Sequence, residues 1–409
     1  MINEKERIII RDLAKRVAEI AAMPVMDERK KLWKQHNSLK KTRPMILIFP
    51  EGSSWEILPR SALKCENFEA QNMEWDLRQQ IHGFEHFQSD NVVDGEVRVG
   101  KVIRDSGWGI EAKWHHSDQP GGARGFDPVI LTAADLKKLK HPVIEYDEAT
   151  TTKNLTQMQE LLGDILSVKL VGIGYVSFHM MSCYTSWRGL EQVMLDMYEE
   201  PQMLHDAMSF LEQGNHGLIK QYGDQNLLSL NNNNIYHSSG GNGWTEELPA
   251  KGFKPDHVRP SDMWASAEAQ ELAQVSPEMH NEFSLAYEKR LLKPFALNGY
   301  GCCEDLTNKL DYVFEIPNLR RISMSPWANV DVCAERLKDN YIFSWKPNPA
   351  HLVGHFDPGS IRKYIQHTVD VAKANGCVLE IILKDTHTIE NHPKRFDQWT
   401  KIAREIVGG

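Results

Sequence analysis

From residue 290 onward, short apolar runs alternate with longer segments whose apolar residues recur at helical spacing. Phe295 to Leu297 leads into Tyr300, after which Leu306, Leu310, Val313 and Phe314 fall on one helix face. Arg320 to Met324 predicts a strand, and Val330, Cys333, Ala334 and Leu337 the helix behind it. Tyr341 to Trp345 predicts a third strand. Asp357 and Pro358 supply a cap and a first-turn proline for a helix carrying Ile361, Ile365, Val369 and Ala372, which Gly376 ends. Val378 to Leu383 predicts the last strand, and Phe396, Trp399, Ile402, Ala403 and Ile406 share one face of a final helix.

Alternation of this kind implies parallel strands with helices packed outside them, as an open doubly wound sheet or a closed barrel. Met45 to Phe49, Val168 to Phe178 and Leu227 to Leu230 add strand candidates towards a ring of eight. No glycine fingerprint for a dinucleotide opens the chain, which favours the barrel. The expected fold is α/β: a (β/α)8 TIM barrel forming one domain over residues 1–409. Three regions interrupt the alternation. Residues 1–40 read as an N-terminal helical extension, residues 84–116 as an inserted β-hairpin around Asp94-Gly95, and residues 237–260 as a long loop over the barrel mouth.

A composition of 41% hydrophobic and 25% charged residues is that of a globular protein, and a net charge of -9 gives no reason to expect a nucleic-acid or anionic-membrane partner. No stretch approaches the roughly 18 apolar residues of a spanning helix. Ile8 to Ile10 are too short an apolar core for a secretory signal, and six cysteines without a framework spacing suit a reducing compartment, so a cytoplasmic protein is expected.

The candidate chemistry follows the strands. Asn231 to Asn234 and His237 come after Leu230; Tyr300, Cys302, Cys303, Glu304 and Asp305 after Leu297; Trp345, Lys346 and Asn348 after Phe343; Lys384, Asp385, Thr386 and His387 after Leu383. In a β/α barrel such positions converge on one face, where active sites of this fold lie. The alternative is that polar strand ends only cap the next helix. Asn232, Tyr300, Cys302, Trp345, Asp385 and His387 are expected to line one cavity, with Asn232, His237, Trp345 and Lys346 as substrate contacts. Glu51, at the end of Met45 to Pro50, is a candidate base or ligand. Cys302, Cys303 and Glu304 are the candidate metal ligands, since zinc accepts thiolate and carboxylate. His86, His115 and His116 read as structural.

The runs L-N-G-Y-G-C-C-E-D-L-T from Leu297, S-P-W from Ser325, F-S-W-K-P-N-P from Phe343 and I-L-K-D-T-H-T from Ile382 resemble the uroporphyrinogen decarboxylase-like superfamily. More narrowly, with L-A-K-R from Leu13 and R-P-M-I-L-I from Arg43, the chain resembles the methyltransferase component of corrinoid-dependent O-demethylase systems. That resemblance implies a barrel that binds a methoxylated aromatic compound and passes its methyl group to the Co(I) corrinoid of a separate corrinoid protein. A phenoxide leaving group has a pKa of about 10, so ether cleavage at neutral pH needs a proton donor or Lewis acid at the ether oxygen. Glu51, Asp90, Tyr300, Asp385 and His387 are the catalytic candidates.

Departures narrow the reading. The decarboxylase carries an arginine-bearing segment where this chain has Pro50-Glu51-Gly52, which disfavours a porphyrinogen substrate. Thiol-methylating relatives carry His-x-Cys-Gly where this chain has Tyr300-Gly301-Cys302-Cys303, and a late cysteine where it has Asp385-Thr386-His387. Any bound zinc is therefore expected to use carboxylate or imidazole, from Glu51, Glu66, His86, Glu304 and His387, with at most one of the two cysteines. The alternatives are a decarboxylase-like enzyme, a zinc-dependent methylcorrinoid:thiol methyltransferase, and a binding barrel without chemistry.

Overall fold

The computed structural model describes residues 2–115 and 125–408, so His116 lies outside the described residues. Its strands, in chain order, are β1 (Met45–Ile48), β2 (Glu96–Gly100), β3 (Val102–Asp105), β4 (Lys113–His115), β5 (Gly125–Asp127), β6 (Ile144–Asp147), β7 (Ser167–Val171), β8 (Ser177–Phe178), β9 (Tyr236–His237), β10 (Gly241–Asn242), β11 (Trp264–Ala267), β12 (Leu297–Tyr300), β13 (Leu319–Met324), β14 (Ile342–Trp345) and β15 (Val378–Leu383). Seven of them form a parallel sheet in the order β1, β15, β14, β13, β12, β11, β8. The chain is a mixed α/β protein built on that sheet.

The first strand lies beside the last, Met45 against Glu380 and Ile48 against Leu383. Among the described residues the ladder between the β1 and β8 edges does not close, so the expected ring appears as seven strands in an open ladder. Both edges are nevertheless engaged. Beside β1, the Asp90 amide donates to the Ile46 carbonyl at 2.7 Å and the Asp90 carboxylate accepts the Ile46 amide at 2.8 Å. Beyond β8, Ile173 and Leu228 form an isolated parallel bridge, and Asn231 donates to the carbonyls of Gly174 and Trp264 at 2.7 and 2.9 Å.

Side chains on a strand alternate between faces, and here the alternation separates two environments. Ile46, Ile48, Ile381, Leu383, Ile322 and Trp345 pack into the large apolar core shared with the helices, whereas Met45, Leu47 and Ile382 belong to a separate cluster with Trp33 and Val92. That second, inner face also carries Arg321, Ser344, Lys346, Glu380 and Lys384. The helix Lys394–Val407 buries Phe396, Trp399, Ile402 and Ala403 as its periodicity predicted, each large apolar side chain contributing roughly 1.5–3 kcal/mol. Asp357 caps the helix Pro358–Ala374 by accepting the Gly359 amide, again as predicted.

The three interruptions differ from expectation. In the N-terminal segment, the helix Glu4–Ala21 buries Ile10, Ala14, Val17 and Ile20 in a core of its own, shared with Leu77 of the helix Phe68–His86. The helix Pro24–Asn37 sends Trp33, His36 and Asn37, all fully buried, against the sheet's inner side, so it is part of the core and not an appendage. Asp94-Gly95 is no hairpin tip: Asp94 accepts the Glu96 amide and pairs with Arg98, a turn that feeds β2 into a parallel pairing with β7. The antiparallel pairs of this region are β3 with β6 and β4 with β5. The glycine-rich loop does not lie over a mouth. It enters the inner face as the β9–β10 hairpin, with residues 237–243 buried. Glycine is required there, since a Cβ on Gly241 would sit 2.4 Å from the Arg321 guanidinium carbon.

Candidate functional site

Inner-face residues just past the strand ends meet around the tip of the β9–β10 hairpin. Lys384, which follows β15, is 8% exposed, and its Nζ lies 3.4 Å from both the Tyr236 hydroxyl and Ser239 Oγ and 3.5 Å from Asp385 Oδ1. Burial opposes its charge, but Tyr236, Cys302, Asp385 and Glu51 hold the ammonium well above the usual lysine range. Ser239 Oγ is also 3.4 Å from Cys302 Sγ. Glu268, which follows β11, pairs with His179 Nδ1 at 2.9 Å; burial raises its pKa, yet His179 and Cys302 bring it below the ordinary value. Lys346, after β14, is buried, donates to Ser344 Oγ at 2.7 Å, and is pushed by burial down to about 7. Tyr175 and Tyr236 tilt against each other at 6.0 Å near the same cation.

At the rim, Glu51 takes φ +48 and its Oε2 accepts the Asp385 amide at 2.7 Å, which ties the end of β1 to the end of β15. Burial raises the Glu51 pKa. Asp385 also takes a left-handed φ of +58, a conformation unfavourable for a non-glycine residue that is held here by the Glu51 contact. His387 is exposed, with its backbone against Gly52. Glu51, Asp385, His387, Lys346 and Cys302 are thus brought into one neighbourhood.

Other candidates are placed elsewhere. Tyr300 faces the helices: its hydroxyl lies 2.9 Å from His280 Nε2 and 3.0 Å from Glu288 Oε2, all three side chains fully buried. Trp345 also faces outward, against Tyr364 at 5.0 Å, because strand alternation cannot turn it and Lys346 the same way. Asp90 is 1% exposed and clamped by Arg43 at 2.7 and 2.9 Å and Arg404 at 2.9 Å; burial raises its pKa, but the two arginines hold the carboxyl low. It ties the start of β1 to the last helix. His237 sits below the site against Trp264 at 4.6 Å, kept neutral by burial and Arg321. Asn232 donates to the Leu248 carbonyl at 2.8 Å and holds the loop that follows. His86 stacks on His82 at 4.1 Å, and the Glu66 amide donates to Glu6.

The proposed zinc ligands do not form a set. Glu304 Oε2 accepts the backbone N–H of Cys302 at 2.8 Å, and burial pushes its carboxyl up to about 7. Cys303 is exposed while Cys302 turns inward. Among the described residues no three His, Cys, Asp or Glu side chains gather to hold a metal ion. These three residues do not fit zinc.

Sequence reasoning did not select Lys384, Ser239, Tyr236, Glu268 or His179 as site residues. The strand-end rule already pointed at Lys384, and it reaches His179, which directly follows Phe178. Glu268 follows W-A-S-A, too weakly apolar a run to register as a strand.

No family model matches the chain, and no curated protein matches it. Among solved structures, a methyltransferase from Methanosarcina mazei is similar over 92% of this chain and 98% of that one, at 10% sequence identity and a TM-score of 0.46. Similarity at that depth assigns no chemistry. No helix among the described residues is long and apolar enough to cross a membrane.

Proposed function

We propose that the chain is a methyltransferase that takes the methyl group of a methoxylated aromatic compound and passes it to the Co(I) corrinoid of a partner protein. The sheet is read as the wall of a (β/α)8 barrel, with the segments around residues 90, 173 and 228 completing the ring beside β1 and β8. Support for that reading is the strand order, in which the first strand lies beside the last, and the hydrogen bonds at both edges of the open ladder. The functional reading is supported by the sequence motifs after β12, β14 and β15 and rests on one observation: a buried lysine cation with two hydroxyls at 3.4 Å, at the ends of parallel strands.

When bound, the reduced corrinoid would supply the nucleophile for the methyl carbon. This chain's residues have the complementary task of stabilising the phenoxide that leaves. The Lys384 ammonium offers a fixed positive charge in a water-poor site, and Tyr236 and Ser239 offer hydroxyl donors beside it. Tyr175 and Tyr236 offer faces for an aromatic ring. Glu268, paired with His179, borders the same space and keeps a carboxylate near Cys302.

Mixing the chain with guaiacol-like methoxyaromatics and a reduced corrinoid protein tests this. The expected result is phenol release coupled to a change in cobalt oxidation state, neither occurring without the corrinoid protein. Release of phenol without it, or methyl transfer straight to a thiol, would overturn the assignment.

A further inference from the structure

Cys302 and Cys303 have adjacent sulfurs, 3.6 Å apart, at the edge of the candidate site. All six cysteines of the chain are free thiols. The other four are dispersed: Cys65 and Cys333 are buried, and Cys183 and Cys377 are half-buried at separate places in the fold. The pair differs from them in being joined and in having one member, Cys303, open to solvent.

The backbone around the pair divides the roles. Gly301, at φ +93, makes the last ladder hydrogen bond of β12, its amide donating to the Ala267 carbonyl at 3.1 Å. Cys302 is then anchored twice, its amide to Glu304 and its carbonyl to Ser323 Oγ at 3.1 Å. Cys303 makes no backbone hydrogen bond among the described residues, so its sulfur can move towards a fixed neighbour. The three-ligand arrangement that would commit these thiols to zinc is not formed.

We propose that Cys302 and Cys303 are a redox-active vicinal dithiol, oxidised by a hydroperoxide to an internal disulfide and reopened by thiols. The exposed Cys303 thiolate attacks the peroxide; an S–O bond forms, the O–O bond breaks, and the departing oxygen takes a proton to leave as an alcohol or water. Cys302 sulfur then displaces the hydroxyl of the Cys303 sulfenic acid, forming the S–S bond and releasing water with the Cys302 proton. Both sulfurs are oxidised by one electron and the peroxide is reduced by two. Consecutive Cα atoms lie about 3.8 Å apart, short of the usual disulfide range of about 4.4–6.8 Å. The product is therefore strained and easily reduced, as suits a reversible modification and not a staple. Its effect on turnover rests on the methyltransferase reading, because bonding to Cys303 changes the Cys302 sulfur that Ser239 Oγ meets at 3.4 Å.

Treating the full-length chain with hydrogen peroxide, alkylating it and digesting it with trypsin isolates both thiols in the peptide spanning residues 291–309. The expected result is a peptide lighter by two hydrogens and alkylated at neither cysteine, restored to two alkylated thiols by dithiothreitol. In Cys302→Ser the remaining Cys303 should accumulate sulfenic or sulfinic acid instead, and in Cys303→Ser the peptide should stay alkylated. Persistent alkylation of both thiols in the parent, or protection without mass loss that a chelator reverses, would overturn the proposal. No substrate enters the mass measurement, so its failure is distinct from failure of the methyltransferase reading, which the phenol assay reads separately.

Discussion

The inner face carries buried charge in two layers that are built differently. At mid-strand, both Glu380 oxygens are occupied: Arg321 Nε donates at 2.9 Å and Ser344 Oγ at 2.5 Å to one, and His36 Nε2 lies 3.1 Å from the other. At the strand ends, Lys384 has among the described residues only contacts of 3.4 to 3.5 Å to neutral hydroxyls and one carboxylate. Both layers hide charged groups from water, which is costly unless they are paired. The first saturates its carboxylate, although Arg321 Nη1 and His36 Nδ1 are left without hydrogen-bond partners among the described residues. The second retains a cation whose partners are distant enough to yield to a ligand. Saturation, more than burial, separates the structural charge from the chemical one.

The largest expected effect breaks the saturated layer. Glu380→Ala leaves Arg321 and His36 buried without their anion and should lower stability by about 3–5 kcal/mol, read from the denaturant midpoint. Burial raises the Glu380 pKa, but Arg321 and His36 hold it far below the ordinary carboxylate range. Its stabilisation is therefore present above the unfolded value of about 4.3 and is lost only as pH falls through the lowered folded value. The variant should lose that part of the acid dependence. A midpoint unchanged from the parent's would show that saturation is no mark of structural charge.

Next, Lys384→Ala tests the unsaturated layer. Turnover should fall by about 10²–10³-fold, as when one preorganised donor to a developing anion is removed. Stability should change by less than about 1.5 kcal/mol, because only long contacts are lost. A large loss of stability with unchanged turnover per folded molecule would exchange the roles of the two layers.

Much of the fold was legible because β13, β14 and β15 are apolar runs followed by helices with clear stripes and, after Asp357-Pro358, a capped start. Less regular elements were not. The stripe from Leu306 to Phe314 yields a helix only over Leu310–Val313, since Asp305 holds the Thr307 amide at 2.8 Å in a turn before it. Residues 237–243 read as surface loop because glycine, serine and asparagine are loop residues, and nothing local records that their small size lets a hairpin lie against Arg321. The candidate site was legible in its strand ends, hence Cys302, Lys346, Asp385 and Glu51. Tyr300 and Trp345 were drawn in by the same rule, but each is the last residue within its strand and faces the helices, and Asp90 was drawn in by the family resemblance. Counting two-residue alternation outward from Lys346 would have turned Trp345 to the helices.

The smallest effect concerns Tyr300, a phenol near the site in sequence that faces away from it. Tyr300→Phe removes a hydroxyl shared by His280 and Glu288 and leaves both buried groups short of a partner, a cost of about 1–3 kcal/mol. Burial pushes Glu288 up to about 8 and His280, with Lys309 and Lys289 nearby, down to about 3, so both are neutral at pH 7. Because the folded Glu288 pKa is raised, the stability linked to its proton is fully present below about 4.3 and is lost as pH rises through about 8. Tyr300→Phe should keep that downward slope and lower the whole curve, since the hydroxyl's hydrogen bond opposes the rise in Glu288 and its loss raises the folded value further. Turnover per folded molecule should stay within about tenfold of the parent, equivalent to about 1.4 kcal/mol in the barrier. A drop comparable to that of Lys384→Ala, with stability intact, would return the proton-donor role to Tyr300 and require the end of β12 to turn inward during turnover.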